Sequence, residues 1–293
     1  MQDAKRILSK IRRIELKTRG LVETAFAGQY RSVFKGRGMN FEEVREYAPG
    51  DEVRTIDWNV TARLGHPYVK KFTEEREMTV MLVVDVSASG AFGSVRLSKR
   101  ELAAEVACVL AFSAIRNNDK VGLLLFSDHV ELYIPPKKGR IHTLRLIREI
   151  LFFEPRGRGT APAPALHYLN RVLTRKAVVF LISDFQTNLA DRELGATARR
   201  HDLVALPVLD PCETELPDAG LVVFEDAETG EQVEVNTGDA SVRSAYAHFV
   251  ARRRDEWTRS FLRQRIDSIA LSTDVDYLPA LRTFFRTRER RRR

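Results

Sequence analysis

The sequence predicts an α/β protein built on a doubly wound, mostly parallel sheet, and three observations lead there. Five runs are apolar on successive residues: Val80 to Val86, Val121 to Phe126, Val178 to Ile182, Leu203 to Leu209 and Ile266 to Leu271. Runs of that length, rich in Val, Ile and Leu, belong to strands buried on both faces, because a strand with one wet face alternates. Segments with helical periodicity lie between most of them, and strand–helix alternation is the pattern of parallel sheets joined by crossovers. The 293 residues suffice for one large core, or for one core and a smaller module.

Taken in order, Ala4 to about Ala27 carries Ile7, Ile11, Ile14, Leu21 and Val22 on one side and reads as an amphipathic helix. From Gln29 to Glu77 the apolar entries are short, charges are many, and Pro49-Gly50-Asp51 marks a turn. Arg54 to Asn59 and Tyr68 to Phe72 are candidate short strands there. The expected division is a helix and small module over 1–76 and the α/β domain over 77–293. Within the domain, Ser98-x-x-Glu101 is a capping box, and the helix it opens, Ser98 to Arg116, lines up Leu102, Val106, Val109 and Leu110. Further helices are expected at Ile141 to Phe153, Pro164 to Leu173, Ala190 to Arg200, Ser241 to Arg265 and Leu278 to Phe285. Two features interrupt the alternation. Val130 to Pro135 follows the second strand closely and should pair with it antiparallel, as an edge strand ended by Pro135-Pro136. Gly220 to Thr237 places Val222, Phe224, Val233 and Val235 around a Thr229-Gly230 turn, a hairpin inserted at about 211–240.

The net charge of +8 resides at the two ends. Met1 to Arg19 has seven Lys/Arg against Asp3 and Glu15, and Arg286 to Arg293 has six Arg against Glu289, which leaves the body near neutral. Such ends read as solvated tails, with non-specific contact to nucleic acid or an acidic surface as the alternative. Cys108 and Cys212 form no CxxC pair and no disulfide framework, so a reducing compartment is expected. The N-terminus lacks a signal-peptide apolar core, and no stretch approaches the roughly 20 apolar residues of a membrane helix. The expectation is a cytoplasmic protein.

Chemistry gathers at strand ends. The first buried strand runs into Asp85-Val86-Ser87-Ala88-Ser89, and the strand Val178 to Ile182 runs into Ser183-Asp184. In open α/β sheets ligands sit outside the carboxyl ends of strands where the winding reverses. Carboxylates and hydroxyls are hard oxygen donors suited to Mg²⁺, Mn²⁺ or Ca²⁺, and Asp85, Ser87 and Ser89 alternate so that an extended turn aims them alike. Thr160, after the flexible Arg156-Gly157-Arg158-Gly159, is a further candidate oxygen; its other reading is the cap of the following helix.

Together these residues resemble the metal-ion-dependent adhesion site of von Willebrand factor A domains, a resemblance covering about Met78 to Phe285. Upstream, Gly36-Arg37-Gly38-Met39-Asn40-Phe41-Glu42-Glu43-Val44-Arg45-Glu46-Tyr47, Pro49-Gly50-Asp51, Arg54-Thr55-Ile56-Asp57-Trp58-Asn59-Val60-Thr61-Ala62-Arg63 and Val69-Lys70-Lys71-Phe72-Thr73-Glu74-Glu75-Arg76 resemble the signature of domain-of-unknown-function family 58. Those are bacterial or archaeal von Willebrand factor A-like proteins associated with MoxR-type AAA+ ATPases. The resemblance implies a metal site of Asp85, Ser87, Ser89, Thr160 and Asp184, with Mg²⁺ (or Mn²⁺ or Ca²⁺) bound. It also implies a non-enzymatic, adaptor-like or chaperone-like role beside a MoxR-type ATPase, capturing a client that offers an Asp or Glu. Gly90 departs from the pattern, where Met or another apolar residue is expected. Within the signature, Arg45, Tyr47, Asp51, Arg54, Asp57, Trp58 and Arg63 either hold the module together with the main domain or form a partner face.

Two rivals remain. A metal-dependent phosphohydrolase would use Asp85 as nucleophile, but Ser87 stands where the DxDx[TV] pattern has its general acid. Nucleotide chemistry has neither a P-loop Lys nor a GxGxxG after a strand. Nucleic-acid or acidic-surface binding through the basic ends is the other rival.

Overall fold

The computed structural model describes residues 40–73, 77–187 and 189–292. The amphipathic helix expected at Ala4 to Ala27 lies outside them. The chain separates into two units, Phe34–Met78 and a larger one containing Thr79–Arg293.

The small unit pairs β1 (Asn40–Glu46) antiparallel with β2 (Tyr68–Thr73) around helix α1 (Trp58–Leu64). The strand expected at Tyr68 is present. The one expected at Arg54 to Asn59 is not: Val53–Thr55 forms a 3-10 turn and α1 begins at Trp58. The reason is Asp57, whose carboxylate accepts from the backbone N–H groups of Asn59 and Val60 and caps the helix. Arg45 grips Asp51 through two hydrogen bonds of 2.9 and 2.7 Å, and Asp51 also accepts from the Ala48 N–H, closing the turn. Three signature residues are thus used inside the module, while Trp58 stands 66% exposed.

The large unit is the predicted α/β architecture. Its strands are β3 (Thr79–Asp85), β4 (Lys120–Phe126), β5 (Val130–Lys137), β6 (Val178–Ser183) and β7 (Asp202–Leu209), with two short pieces, β10 (Asp267–Ser268) and β11 (Leu271–Ser272). The order is β10-β7-β6-β3-β4-β5, with β11 also on β7, and every pairing is parallel except β4 with β5. From β3 the chain winds one way to β4 and β5, then returns to β6 on the other flank of β3. The winding therefore reverses between β3 and β6.

Helices α2 (Lys99–Arg116), α3 (Arg140–Phe152), α4 (Pro162–Val172) and α5 (Asp191–Arg200) come next in chain order. The remaining helices are α6 (Pro211–Thr214), α7 (Ala240–Arg263) and α8 (Tyr277–Arg292). The hairpin is β8 (Leu221–Glu225) with β9 (Gln232–Asn236), antiparallel. One core buries Met81, Val83, Leu124, Phe126, Val179, Leu181, Leu203 and Ala205 from the strands against Leu166, Leu169, Leu194 and Phe261. The opposite sheet face meets α2, whose Leu102, Val106, Val109 and Leu110 are buried, and α2 in turn packs on α3.

Three expectations change in detail. The edge strand β5 does not stop at Pro135 but runs to Lys137, because at an edge the missing proline N–H groups leave no ladder position empty. The register slips there, between the Val121–Lys137 and Leu123–Ile134 pairs, and Gly122 lies against Ile134 and Pro136. The run Ile266 to Leu271 is two short strands, not one. The C-terminal arginines, expected as a solvated tail, continue α8 to Arg292: Arg288 is paired with Asp202 and, at 3.1 Å, with Asp267, and Arg291 meets Asp267 at 3.0 Å.

Candidate metal centre

The loops after β3 and β6 meet where the winding reverses. Val86 ends the first strand by bonding to the Phe126 carbonyl at 2.8 Å, and the Ser87 N–H turns back onto Asp85 Oδ1 at 2.9 Å. A 3-10 turn over Ala88–Ala91 then carries Ser89 round, so that the Ser87 and Ser89 hydroxyls lie 3.1 Å apart. Ser89 Oγ donates to Asp184 Oδ2 at 2.8 Å, and Ser183 Oγ donates to Asp85 Oδ2 at 2.7 Å. Asp85, Ser87, Ser89 and Asp184 are thereby joined in one network across two strand ends. A cavity of about 20 Å³ lies among them, room for about one water-sized species, bordered also by Ser183 and Lys99.

Thr160 is placed differently. Its hydroxyl donates to Glu228 Oε1, on the turn of the β8–β9 hairpin, at 2.8 Å. It does not cap α4, whose N-cap is Ala161 and has no side-chain cap. Its loop does reach the DxSxS turn, since the Ala88 N–H bonds to the Arg158 carbonyl at 3.1 Å. At Gly90 an added Cβ would find only Arg100, 3.9 Å away, so the departure from the family pattern leaves open space and no altered ligand.

Electrostatics set this site apart. Burial first, and then the Asp184 charge, push the Asp85 carboxyl up to about 6 against the hydrogen bonds of Ser183 and Ser87. Arg100 is a cation that interacts with Asp85, though burial pulls its guanidinium below the ordinary value. At Asp184, Lys99 Nζ lies 2.7 Å from Asp184 Oδ2 and 2.6 Å from Glu213 Oε1, with the lysine side chain 3% exposed. Burial pulls the Lys99 ammonium down, but Asp184 and Glu213 outweigh it and hold its pKa above the ordinary value. Arg100 Nη2 donates to the Val86 carbonyl at 2.6 Å and steadies the same turn.

Lys99, Arg100 and Glu213 escaped the sequence reading. A signal existed: Lys99 and Arg100 occupy the first turn of α2, where the helix dipole disfavours cations, so a basic pair there needs a carboxylate partner. Asp210 also escaped notice. It ends β7 fully buried and accepts from Ser94, Cys212 and Thr273; burial pushes its carboxyl up, yet these bonds prevail and hold it low. Phe185, directly after Asp184, has φ of 54°, a left-handed conformation strained for a side chain. Trp257, tilted against Phe185, and Phe261, edge-on to it, with ring centroids 6.3 and 5.2 Å away, hold it there and so aim the Asp184 turn.

Such a sheet, with DxSxS at one strand end and an aspartate at its neighbour across the winding reversal, defines a von Willebrand factor A-like α/β protein. The particular family follows from the sequence. Residues 43–256 match the family described as protein of unknown function DUF58, and the chain belongs to it. An uncharacterized protein of Mycobacterium tuberculosis is 33% identical over 291 residues, covering 98% of this chain and 92% of its own length. Similar solved structures include an aerotolerance-related membrane protein from Bacteroides fragilis, at 18% identity and TM-score 0.45 over 73% of this chain and 99% of that one. Another is the SpRpn10 VWA domain, at 9% identity and TM-score 0.39 over 70% and 94%.

The expectation of a cytoplasmic protein is corrected here, because a protein described as a membrane protein is among the similar structures. Among the described residues no helix is long and apolar enough to cross a membrane. That fact concerns spanning alone, and a chain can sit at a membrane without a span of its own.

Proposed function

We propose that the protein is a non-enzymatic, metal-dependent interaction module whose centre takes one divalent ion on Asp85, Ser87, Ser89 and Asp184. The supporting observation is the convergence of these hard oxygen donors on a water-sized cavity, beside a carboxyl raised by burial first and by the Asp184 charge second. Oxygen donors with no Cys or His favour Mg²⁺, Mn²⁺ or Ca²⁺ over zinc. A bound ion would supply an electrophilic position for a partner's carboxylate. The chain's own residues do the rest: Ser183 and the Ser87 N–H orient Asp85, and the strained Phe185 turn orients Asp184. Thr160 joins the proposed ligand set only if its hydroxyl leaves Glu228. The partners proposed are a client offering Asp or Glu and, from the family resemblance, a MoxR-type AAA+ ATPase. The phosphohydrolase rival gains no support, since the hydroxyl of Ser87 faces Ser89 where an acid would be required.

Isothermal calorimetry with Mg²⁺ and Mn²⁺ tests the reading. Wild type should bind one ion, and Asp85→Ala should bind none while keeping its circular dichroism spectrum. Unchanged binding in the folded variant would falsify the assignment.

A further inference from the structure

We propose that Lys99 is the resident counter-ion of Asp184 in this centre, competing with a divalent ion for that carboxylate. The inference rests on the functional reading above. Asp184 Oδ2 receives both the Lys99 ammonium, at 2.7 Å, and the Ser89 hydroxyl, at 2.8 Å, and its Oδ1 receives the Gln186 N–H at 3.1 Å. Direct or water-mediated ligation through Asp184 must therefore displace an ammonium already in contact. A buried ammonium cannot be left unpaired, because desolvation is costly and the low-dielectric interior strengthens whatever pairing it has.

The structure supplies the place to which it would retreat. Glu213, at the end of β7 on α6, already holds Lys99 through Oε1 at 2.6 Å. Its other oxygen, Oε2, is buried with no hydrogen-bond partner. A buried carboxylate oxygen left bare is costly unless a donor reaches it in another state. Lys99 swinging off Asp184 onto both oxygens of Glu213 would fill that vacancy and free Asp184 for the ion. Lys99 thus sets ion affinity from a position no ligand pattern includes, and Glu213 is its receiving residue.

The test compares wild type, Lys99→Met, Lys99→Gln and Glu213→Gln in full-length protein. Mn²⁺ affinity is read by calorimetry and metal-free melting temperature by scanning calorimetry in chelator. Lys99→Gln keeps a donor to Asp184 and drops the charge, so it covers failure of Lys99→Met to fold. Both lysine variants should bind Mn²⁺ at least tenfold more tightly than wild type and melt lower in chelator. Glu213→Gln should bind about tenfold more weakly, because the displaced ammonium loses its refuge. Binding by wild type with equal affinity in Lys99→Gln overturns the counter-ion role and leaves the functional reading standing. No binding in wild type or in either lysine variant overturns both.

Discussion

Asp85→Asn isolates what it costs to keep a charge buried at Asp85, with the Asp184 charge beside it. The substitution preserves shape: the amide oxygen still accepts from the Ser87 N–H, and the amide nitrogen faces Ser183 Oγ, which accepts as readily as it donates. Only the charge goes. In the fold the Asp85 carboxyl is raised from 3.8 to about 6, so its ionisation at neutral pH costs up to about 3 kcal/mol. The folded state binds this proton more tightly than the unfolded chain. Its stabilising contribution is therefore full below pH 3.8 and is lost as pH rises through about 6. In chelator at pH 7.5, Asp85→Asn should be more stable than wild type by about 1–3 kcal/mol, a melting rise of about 2–10 °C for a unit of this size. Between pH 4 and 6 the gap should close. At Mn²⁺ a thousand times the wild-type Kd, wild type should gain about 4.1 kcal/mol and the variant nothing, reversing the order. Scanning calorimetry across pH, with and without Mn²⁺, reads all of this. An Asp85→Asn protein that melts below wild type in chelator at pH 7.5 would show that no electrostatic strain is stored at the site.

Other perturbations bear on neighbouring parts. Gly122→Ala places a Cβ 2.5 Å from Met81 Sδ and 3.0 Å from the Ile134 carbonyl, and should cost about 1–3 kcal/mol in urea unfolding. Arg288→Ala removes the cation shared by Asp202 and Asp267 under α8, with an expected loss of about 1–3 kcal/mol; no loss would mean the C-terminal arginines are ornamental to the fold. Asp57→Ala deletes the α1 cap and should lower amide-exchange protection of Asn59 and Val60 by about 1 kcal/mol. Glu228→Gln should leave ion affinity unchanged if Thr160 stays apart from the centre; a severalfold change would bring Thr160 into the ligand set.

How much of this was legible in the residues follows from the range of the interactions concerned. Strands such as β3 and β6 announce themselves because burial on both faces leaves no polar position in Val80 to Val84 or Val178 to Ile182. The Ser98 cap is likewise local, and its reciprocal bond with Glu101 stands as expected. The Arg54 to Asn59 segment was misread because β-branched and aromatic residues outvoted a single capping Asp57. Arg288 was misread for the opposite reason: its partners, Asp202 and Asp267, lie 86 and 21 positions away, and a charge run by itself looks solvated.

The same argument explains why the donors of the candidate centre were visible and its counter-charge was not. Asp85, Ser87 and Ser89 form a local pattern, and Asp184 follows an unmistakable strand. Lys99 reaches Asp184 across 85 residues and Glu213 across 114. Read locally, it is one more lysine in a helix of apolar periodicity. Only a conflict betrays it, because a cation in the first turn of a helix opposes the dipole and is retained where a carboxylate repays the cost. The Lys99 ammonium is shared between Asp184 and Glu213, not between the two aspartates. A divalent ion entering at Asp184 meets that ammonium unless it is drawn toward Glu213. Ion binding at such a centre is therefore inseparable from where the ammonium goes, and the donor pattern alone does not specify affinity.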